Sequence, residues 1–218
     1  MNKSKSIPRR RFLQSGGCAL GAIAAGPLFI PAPALGKEGA VSPNDRITMG
    51  FIGTGTMGKG HLFGEAWTYL PGGYVEQNSI QVLAVCDVWR QSREQTRDHV
   101  NLHYTRKYGK GNYHSCEAYN DFRDILQRED VDAVLIATPN HWHATMTVLA
   151  AQAGKDIYCE KPTAVTVKES QAMVKAVLDN KRVFQAGTQQ RSEYEGKFRK
   201  AAEYVRGGRL GQLKEVYA

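Results

Sequence analysis

Residues 47–52, Ile-Thr-Met-Gly-Phe-Ile, form a short apolar run that ends directly in Gly53-Thr54-Gly55-Thr56-Met57-Gly58. This junction narrows the possible folds more than any other stretch of the chain. A short apolar run closed by glycine reads as a buried parallel strand. The first glycine then permits a tight turn, and the second lets a pyrophosphate reach the backbone. The third lets the following helix pack closely on the strand, with its N-terminus facing the anion. Residues Gly53, Thr54, Gly55, Thr56, Met57 and Gly58 are therefore expected to cradle a dinucleotide. A glycine motif alone is a weak signal, and its place between a strand and a helix is what strengthens it.

The rest of the chain repeats the alternation. Ile80–Cys86, Ala133–Ala137, Asp156–Cys159 and Val183–Ala186 are further strand candidates. Helix spacing falls between them, at Phe122, Ile125 and Leu126, and at Met146, Leu149, Ala150 and Ala153 before Gly154. Thr166 and Glu169 form a capping-box pattern that opens a helix through Met173, Val174, Val177 and Leu178. Strand–helix alternation of this kind predicts an α/β class, a doubly wound parallel-sheet Rossmann domain over residues 46–190. The second strand runs into Asp87, whose carboxylate can accept from both ribose hydroxyls of an adenosine and repels a 2′-phosphate. NAD is thus favoured and NADP remains possible. Asp87 stands 29 residues after Gly58, where about 20 is usual. A loop containing Leu70-Pro71-Gly72-Gly73 accounts for the excess. Arg90 is placed to offset the charge, and closing a turn is the alternative role for Asp87.

The formal charge of +8 raises the question of an anionic partner. Residues 1–34 hold Lys3, Lys5, Arg9, Arg10 and Arg11 and no acid; without them 24 basic residues face 21 acidic ones. The remaining net of +3 calls for no nucleic acid. Arg9-Arg10-Arg11-Phe12-Leu13-Gln14 resembles a twin-arginine export signal, followed by a mildly apolar stretch to Ile30 and a small-residue cleavage site at Ala32-Pro33-Ala34. That stretch is short of the roughly 20 strongly apolar residues of a membrane span, so a stable anchor is not expected. The reading divides the chain into a signal peptide, 1–34, a linker, 35–45, and the Rossmann domain, with the twin-arginine machinery as a partner and the periplasm or exterior as the destination. Cys18 lacks the context of a lipidation site. Cys86, Cys116 and Cys159 are odd in number and widely spaced, so buried free thiols are expected rather than disulfides or zinc.

Thr138-Pro139-Asn140-His141-Trp142-His143 follows the third strand, and Glu160-Lys161-Pro162 follows the next. Ligands of open α/β sheets bind at such carboxyl ends. Taken with ITMGFIGTGTMG, VLAVCDV, VDAVLIATPNHWHA, GKDIYCEKPTAVT and VFQAGTQQR, these stretches resemble the Gfo/Idh/MocA superfamily, named for glucose–fructose oxidoreductase, inositol dehydrogenase and a rhizopine-catabolism protein. The resemblance runs from about residue 46 to the C-terminus. It implies that Thr138, Pro139 and Asn140 lie against the cofactor and that Lys161 reaches the reacting centre. An ammonium there could hydrogen-bond the substrate oxygen and stabilise alkoxide charge. Glu160 would orient that amine or touch the nicotinamide ribose. His143 matches the family's histidine after the turn; contact with cofactor or substrate and simple packing of its helix are both open. Gln189, Gln190 and Arg191 follow the last strand towards the cleft, with Gln189 placed on the cofactor. No metal site is expected: His141 and His143 point apart on a helix, and His99 with His103 lack further ligands.

Residues 191–218 read as the truncated start of an α+β substrate and oligomerisation domain, usual in the resembled family. It comprises a helix over 194–206, with Tyr194, Phe198, Ala202 and Val205 on one face, and a first strand from Leu213 to Ala218. The parent is expected to be a homo-oligomer acting on a sugar or polyol by hydride transfer. An NAD-dependent glycosidase and a non-catalytic dinucleotide-binding protein are the alternatives. Outside the cytoplasm, with no nucleotide pool, a tightly held cofactor used in a closed cycle is the expected mode.

Overall fold

In a computed structural model, residues 45–64, 70–111, 113, 115–191 and 196–215 are described. The expected signal peptide, Cys18, nearly all of the linker, Tyr194 and residues 216–218 lie outside them. Six strands, β1 (Ile47–Ile52), β2 (Ile80–Cys86), β3 (Glu117–Tyr119), β4 (Ala133–Ile136), β5 (Asp156–Glu160) and β6 (Phe184–Gly187), form one parallel sheet. Its order is β3-β2-β1-β4-β5-β6. The winding reverses between β1 and β4, so the crevice beyond their carboxyl ends is the ligand position of this topology.

Among the described residues seven α-helices accompany the strands: α1 (Thr56–Phe63), α2 (Gly73–Glu76), α3 (Arg90–Tyr108), α4 (Phe122–Leu126), α5 (Asn140–Gln152), α6 (Val167–Asp179) and α7 (Lys197–Arg206). The sheet separates two apolar layers. Met49, Phe51, Leu62, Val82, Val85, Val100, Tyr104 and Leu135 fill one. Ile52, Ala84, Ile125, Val134, Ile136, Met146, Ala150, Ile157 and Cys159 fill the other. Burial on both faces explains why the central strands read as unbroken apolar runs. Gly50 lets α4 approach β1, since a Cβ there would lie 2.5 Å from Ile125 Cγ2. The register of β1 on β2 slips between Met49 and Gly50. Near that bulge the Tyr104 hydroxyl accepts from the Val82 N–H at 2.9 Å, and Arg128 donates to the Leu83 carbonyl at 3.3 Å.

Several expectations shift in detail. Strand β3 is not anticipated, because one exposed and two half-covered residues at a sheet edge carry almost no apolar signature. The Leu70–Gly73 loop leads into the single turn α2, with Gly72 and Gly73 both at positive φ. The capping box of α6 is present, Thr166 accepting from the Glu169 N–H and the Glu169 side chain from that of Thr166. That helix buries Met173 and Ala176 and leaves Val174 and Leu178 exposed, so its apolar stripe is narrower than its sequence suggests. Helix α7 starts at Lys197 after Gly196, has no buried residue and exposes Phe198, Ala202 and Val205. Leu213–Glu215 have no strand pairing. Cys86, Cys116 and Cys159 are buried free thiols, and burial pushes each up to about 12. No helix among the described residues is long and apolar enough to cross a membrane.

Candidate functional site

The glycine turn is shaped by contacts that tolerate no side chain. Gly53 has φ +97°, and a Cβ on it would lie 2.6 Å from the Ala137 carbonyl oxygen. A Cβ on Gly58 would lie 1.9 Å from the Gly53 oxygen, so α1 sits against the turn itself. Gly55 differs: nothing stands within 4 Å of its Cβ position. It is the N-cap of α1 and supplies no side-chain cap. The first N–H groups of a helix have no partner within it, so Thr56, Met57 and Gly58 offer donors around an open space. Cradle and donors fit a dinucleotide pyrophosphate.

Thr54 turns the other way. It is fully buried, and its N–H and hydroxyl lie 2.8 and 3.0 Å from Asp87 Oδ2. Ser92 on α3 donates to the Thr54 carbonyl at 2.8 Å. The side chain expected on the cofactor therefore faces inward, where it locks the tip of β2 to the turn. Asp87 Oδ1 accepts from the Trp89 N–H at 2.9 Å. A carboxylate has about four lone-pair sites, so Asp87 keeps acceptor capacity towards the crevice it lines. Arg90 does not offset that charge by contact; it is exposed and pairs with Glu94 at 2.8 Å.

A cleft of about 440 Å³ opens at the reversal point. Gly53 and Gly55 border it from the turn, Asp87 and Val88 from β2, and Thr138 and Pro139 from β4. Asn120, Arg123 and Trp142 also line it, and none is singled out by the sequence, since their place follows from the unanticipated β3 and from the rotation of α5. Arg123 is held by Asp121 at 2.8 Å and lies 4.9 Å from the Phe122 ring centre. Asn140 is the exposed first residue of α5, and Pro139 is its N-cap. The Thr138 hydroxyl points to Met146 Sδ at 3.6 Å.

His143 is 1 % exposed. Its Nδ1 lies 2.7 Å from the Pro162 carbonyl oxygen and its Nε2 2.7 Å from that of Thr138. The ring braces the β4 turn against the β5 turn and presents neither nitrogen to the cleft. Of the two roles left open for it, contact with cofactor or substrate and packing of its helix, these two carbonyl contacts are those of the packing role. His141, two residues earlier, is exposed on the same helix. His99 stacks edge-on against Phe63, and His103 lies 3.7 Å from Glu76.

Lys161 is exposed at the carboxyl end of β5, next to β4 in the sheet. Glu160 beside it is 4 % exposed and directed inward. Its Oε1 lies 2.7 Å from His61 Nε2 and accepts from the Gln189 amide, while its Oε2 accepts from the Lys161 N–H at 3.0 Å. Burial works against the carboxylate, but the hydrogen bonds from His61 and Gln189 outweigh it and hold Glu160 below the usual range. Glu160 and Gln189, both expected on the cofactor, are thus bonded to each other within the protein. His61 belongs to no motif considered above, and its partner is 99 positions away.

Comparison with known proteins agrees with this fold. The chain is 31% identical over 179 residues to a glycosyl hydrolase family 109 protein of Shewanella baltica, covering 75% of this chain and 35% of that one. The corresponding protein of Shewanella pealeana is 30% identical over 173 residues with the same coverage. The chain therefore spans about a third of the length of these curated relatives. Among solved structures, myo-inositol 2-dehydrogenase from Lactobacillus plantarum superposes with a TM-score of 0.60 at 22% identity, over 77% of this chain and 43% of that one. Scyllo-inositol dehydrogenase from Lactobacillus casei, with bound NAD(H) and scyllo-inositol, gives 0.59 at 22% identity over the same shares. At that identity the likeness establishes the fold alone. The family model described as "Oxidoreductase family, NAD-binding Rossmann fold" matches residues 47–188. This chain belongs to the Gfo/Idh/MocA oxidoreductase family, and its Rossmann domain is of the NAD-binding kind.

Proposed function

We propose that this chain is the cofactor-binding part of an exported oxidoreductase that moves a hydride between NAD and a sugar, polyol or derivative. The observation that carries the reading is the position of Lys161 at the end of β5, with the adjacent β4 ending in the Thr138–Asn140 turn and β1, the strand beyond it, ending in the glycine cradle. NAD, when bound, supplies the hydride acceptor or donor. Gly53, Gly55, Thr56, Met57 and Gly58 hold its pyrophosphate, Asp87 accepts from the adenosine ribose, and the Thr138-Pro139-Asn140 turn lines its path. Lys161 hydrogen-bonds the reacting oxygen and holds the proton that leaves or joins it. The names of the dehydrogenase neighbours support a polyol substrate. A fluorescence titration with NADH tests binding, and NADH absorbance with myo-inositol and scyllo-inositol as probe substrates tests turnover. Absence of both signals would overturn the reading.

The glycosyl hydrolase relatives favour a second reading, glycoside cleavage through transient oxidation. It is distinguished by release of nitrophenol from a nitrophenyl glycoside panel with no net NADH. Export through the twin-arginine route, suggested by Arg9 and Arg10, predicts a mature N-terminus at or near Leu35 in periplasmic material. A mature chain beginning at Met1 in the cytoplasm would remove export from the proposal.

Asp87→Ser separates two roles of that carboxylate. As the ribose acceptor, its loss weakens NADH binding by about tenfold, the scale of one charged hydrogen bond, and narrows the preference for NADH over NADPH. If Asp87 only closes the turn through Thr54 and Trp89, titration shows both nucleotides weakened equally.

A further inference from the structure

We infer that His61 is a positioning residue for Lys161, acting through the buried Glu160 and tying the helix that carries the dinucleotide cradle to the turn that carries the lysine. The inference rests on the role given to Lys161 above. It begins with strand alternation. Ile157 and Cys159 of β5 enter the layer containing α5, so Tyr158 and Glu160 project to the opposite face, where α1 packs. Lys161 is the first residue beyond the strand and turns outward.

The carboxylate of Glu160 is therefore buried one residue away from an exposed lysine, and it is held from three sides. His61 of α1 and the Gln189 amide both meet Oε1, and the Lys161 N–H donates to Oε2. Tyr74 of α2 and Tyr158 of the same strand complete the surroundings, their rings 6.2 and 5.2 Å from that of His61 and edge-on to it. Burial and the nearby carboxylate push both phenols up. His61 is thus the basic side chain in direct contact with Glu160 among the described residues, and it is itself 4 % exposed. Gly187 makes room for the cluster, because a Cβ there would stand 3.0 Å from Glu160 Cα and Oε1.

A buried carboxylate deprived of a donor is strongly disfavoured and moves towards water. Here that movement would pull on Oε2 and its bond to the Lys161 backbone. Helix α1 is eight residues long, with the cradle at one end and His61 in its last turns. A shift of the cradle is consequently carried to the lysine by a short rigid rod and two hydrogen bonds.

The test reads hydrogen exchange of the Lys161 backbone N–H, the group that donates to Glu160 Oε2, in the intact, cofactor-free chain, resolved by mass spectrometry of fragmented peptides and referred to the N–H of Lys175 inside α6. His61→Phe should raise the Lys161 rate about fivefold, as expected when one charged hydrogen bond no longer opposes local opening, with Lys175 unchanged. His61→Gln, whose amide nitrogen can replace Nε2 as donor, should restore the original rate. An unchanged Lys161 rate in His61→Phe overturns the inference. So does a rise shared by Lys175, or one that His61→Gln fails to reverse. If His61→Phe does not fold, Gln189→Leu at the half-buried neighbour takes its place, with an increase of about twofold expected and an unchanged rate again fatal. The measurement needs no turnover, so a chain without NADH-linked activity would remove the proposed reaction and still leave this outcome readable.

Discussion

Gly58→Ala should weaken NADH binding about a hundredfold and lower the melting temperature by several degrees, whereas Gly55→Ala should weaken binding and leave the melt in place. The added methyl at position 58 would stand 1.9 Å from the Gly53 carbonyl oxygen and 3.0 Å from its carbon. Neither atom is the free end of a side chain. The clash is relieved only if α1 backs away from β1, which opens the turn and withdraws the helix N–H groups from the anion. Forced overpacking of this kind costs roughly 1–3 kcal/mol, about 2–4 °C per kcal/mol for a domain of this size. The binding loss is the same energy scale expressed as affinity. At Gly55 the methyl meets no protein atom within 4 Å and occupies ligand space only. NADH titration and thermal melts on the two variants make the comparison, and similar melts for both would show that close packing at Gly58 is not what shapes the cradle.

Lys161→Ala should reduce turnover by about 10²–10⁴-fold, the range for removing a positioned acid–base group, while NADH affinity stays within about twofold. The separation follows from which atom of Lys161 the protein uses. Its backbone N–H, retained in alanine, satisfies Glu160 Oε2 at 3.0 Å. Its side chain is exposed at the strand end and is not among the cradle groups. Steady-state rates with a responsive polyol or glycoside, alongside NADH titration, give the two numbers. Turnover equal to that of the unmodified protein would remove Lys161 from the mechanism, and a parallel loss of NADH binding would make it a cofactor ligand instead.

Legibility in the sequence follows the range over which each constraint acts. The turn at Gly53 is set by local backbone geometry, φ +97° beside the Ala137 carbonyl, and a glycine at the right spacing announces it. Strands β1, β2 and β4 are covered on both faces and appear as apolar runs. Strand β3 is covered by little and appears as nothing. Thr54 lies within the motif, and its spacing suggests a ligand contact, but its donors are taken by Asp87 from another strand. His143 has a motif position that suits chemistry, and the fold places a carbonyl oxygen at each of its nitrogens. His61 stands in an ordinary helical stretch and gains meaning only when residue 160 is brought against it.

What the sequence determined by itself is the alternating parallel architecture, the glycine cradle, the strand-end motifs and through them the family. These depend on periodicity and on backbone conformations that neighbouring residues dictate. What only the tertiary structure decided is which polar side chains face the ligand and which face one another. Glu160, Gln189, Thr54 and His143 are all near the site in sequence terms, and the fold turns each of them inward. The reason is physical: a polar group excluded from water must find a partner, and the nearest partner is chosen by the packing of distant segments, which no local pattern contains.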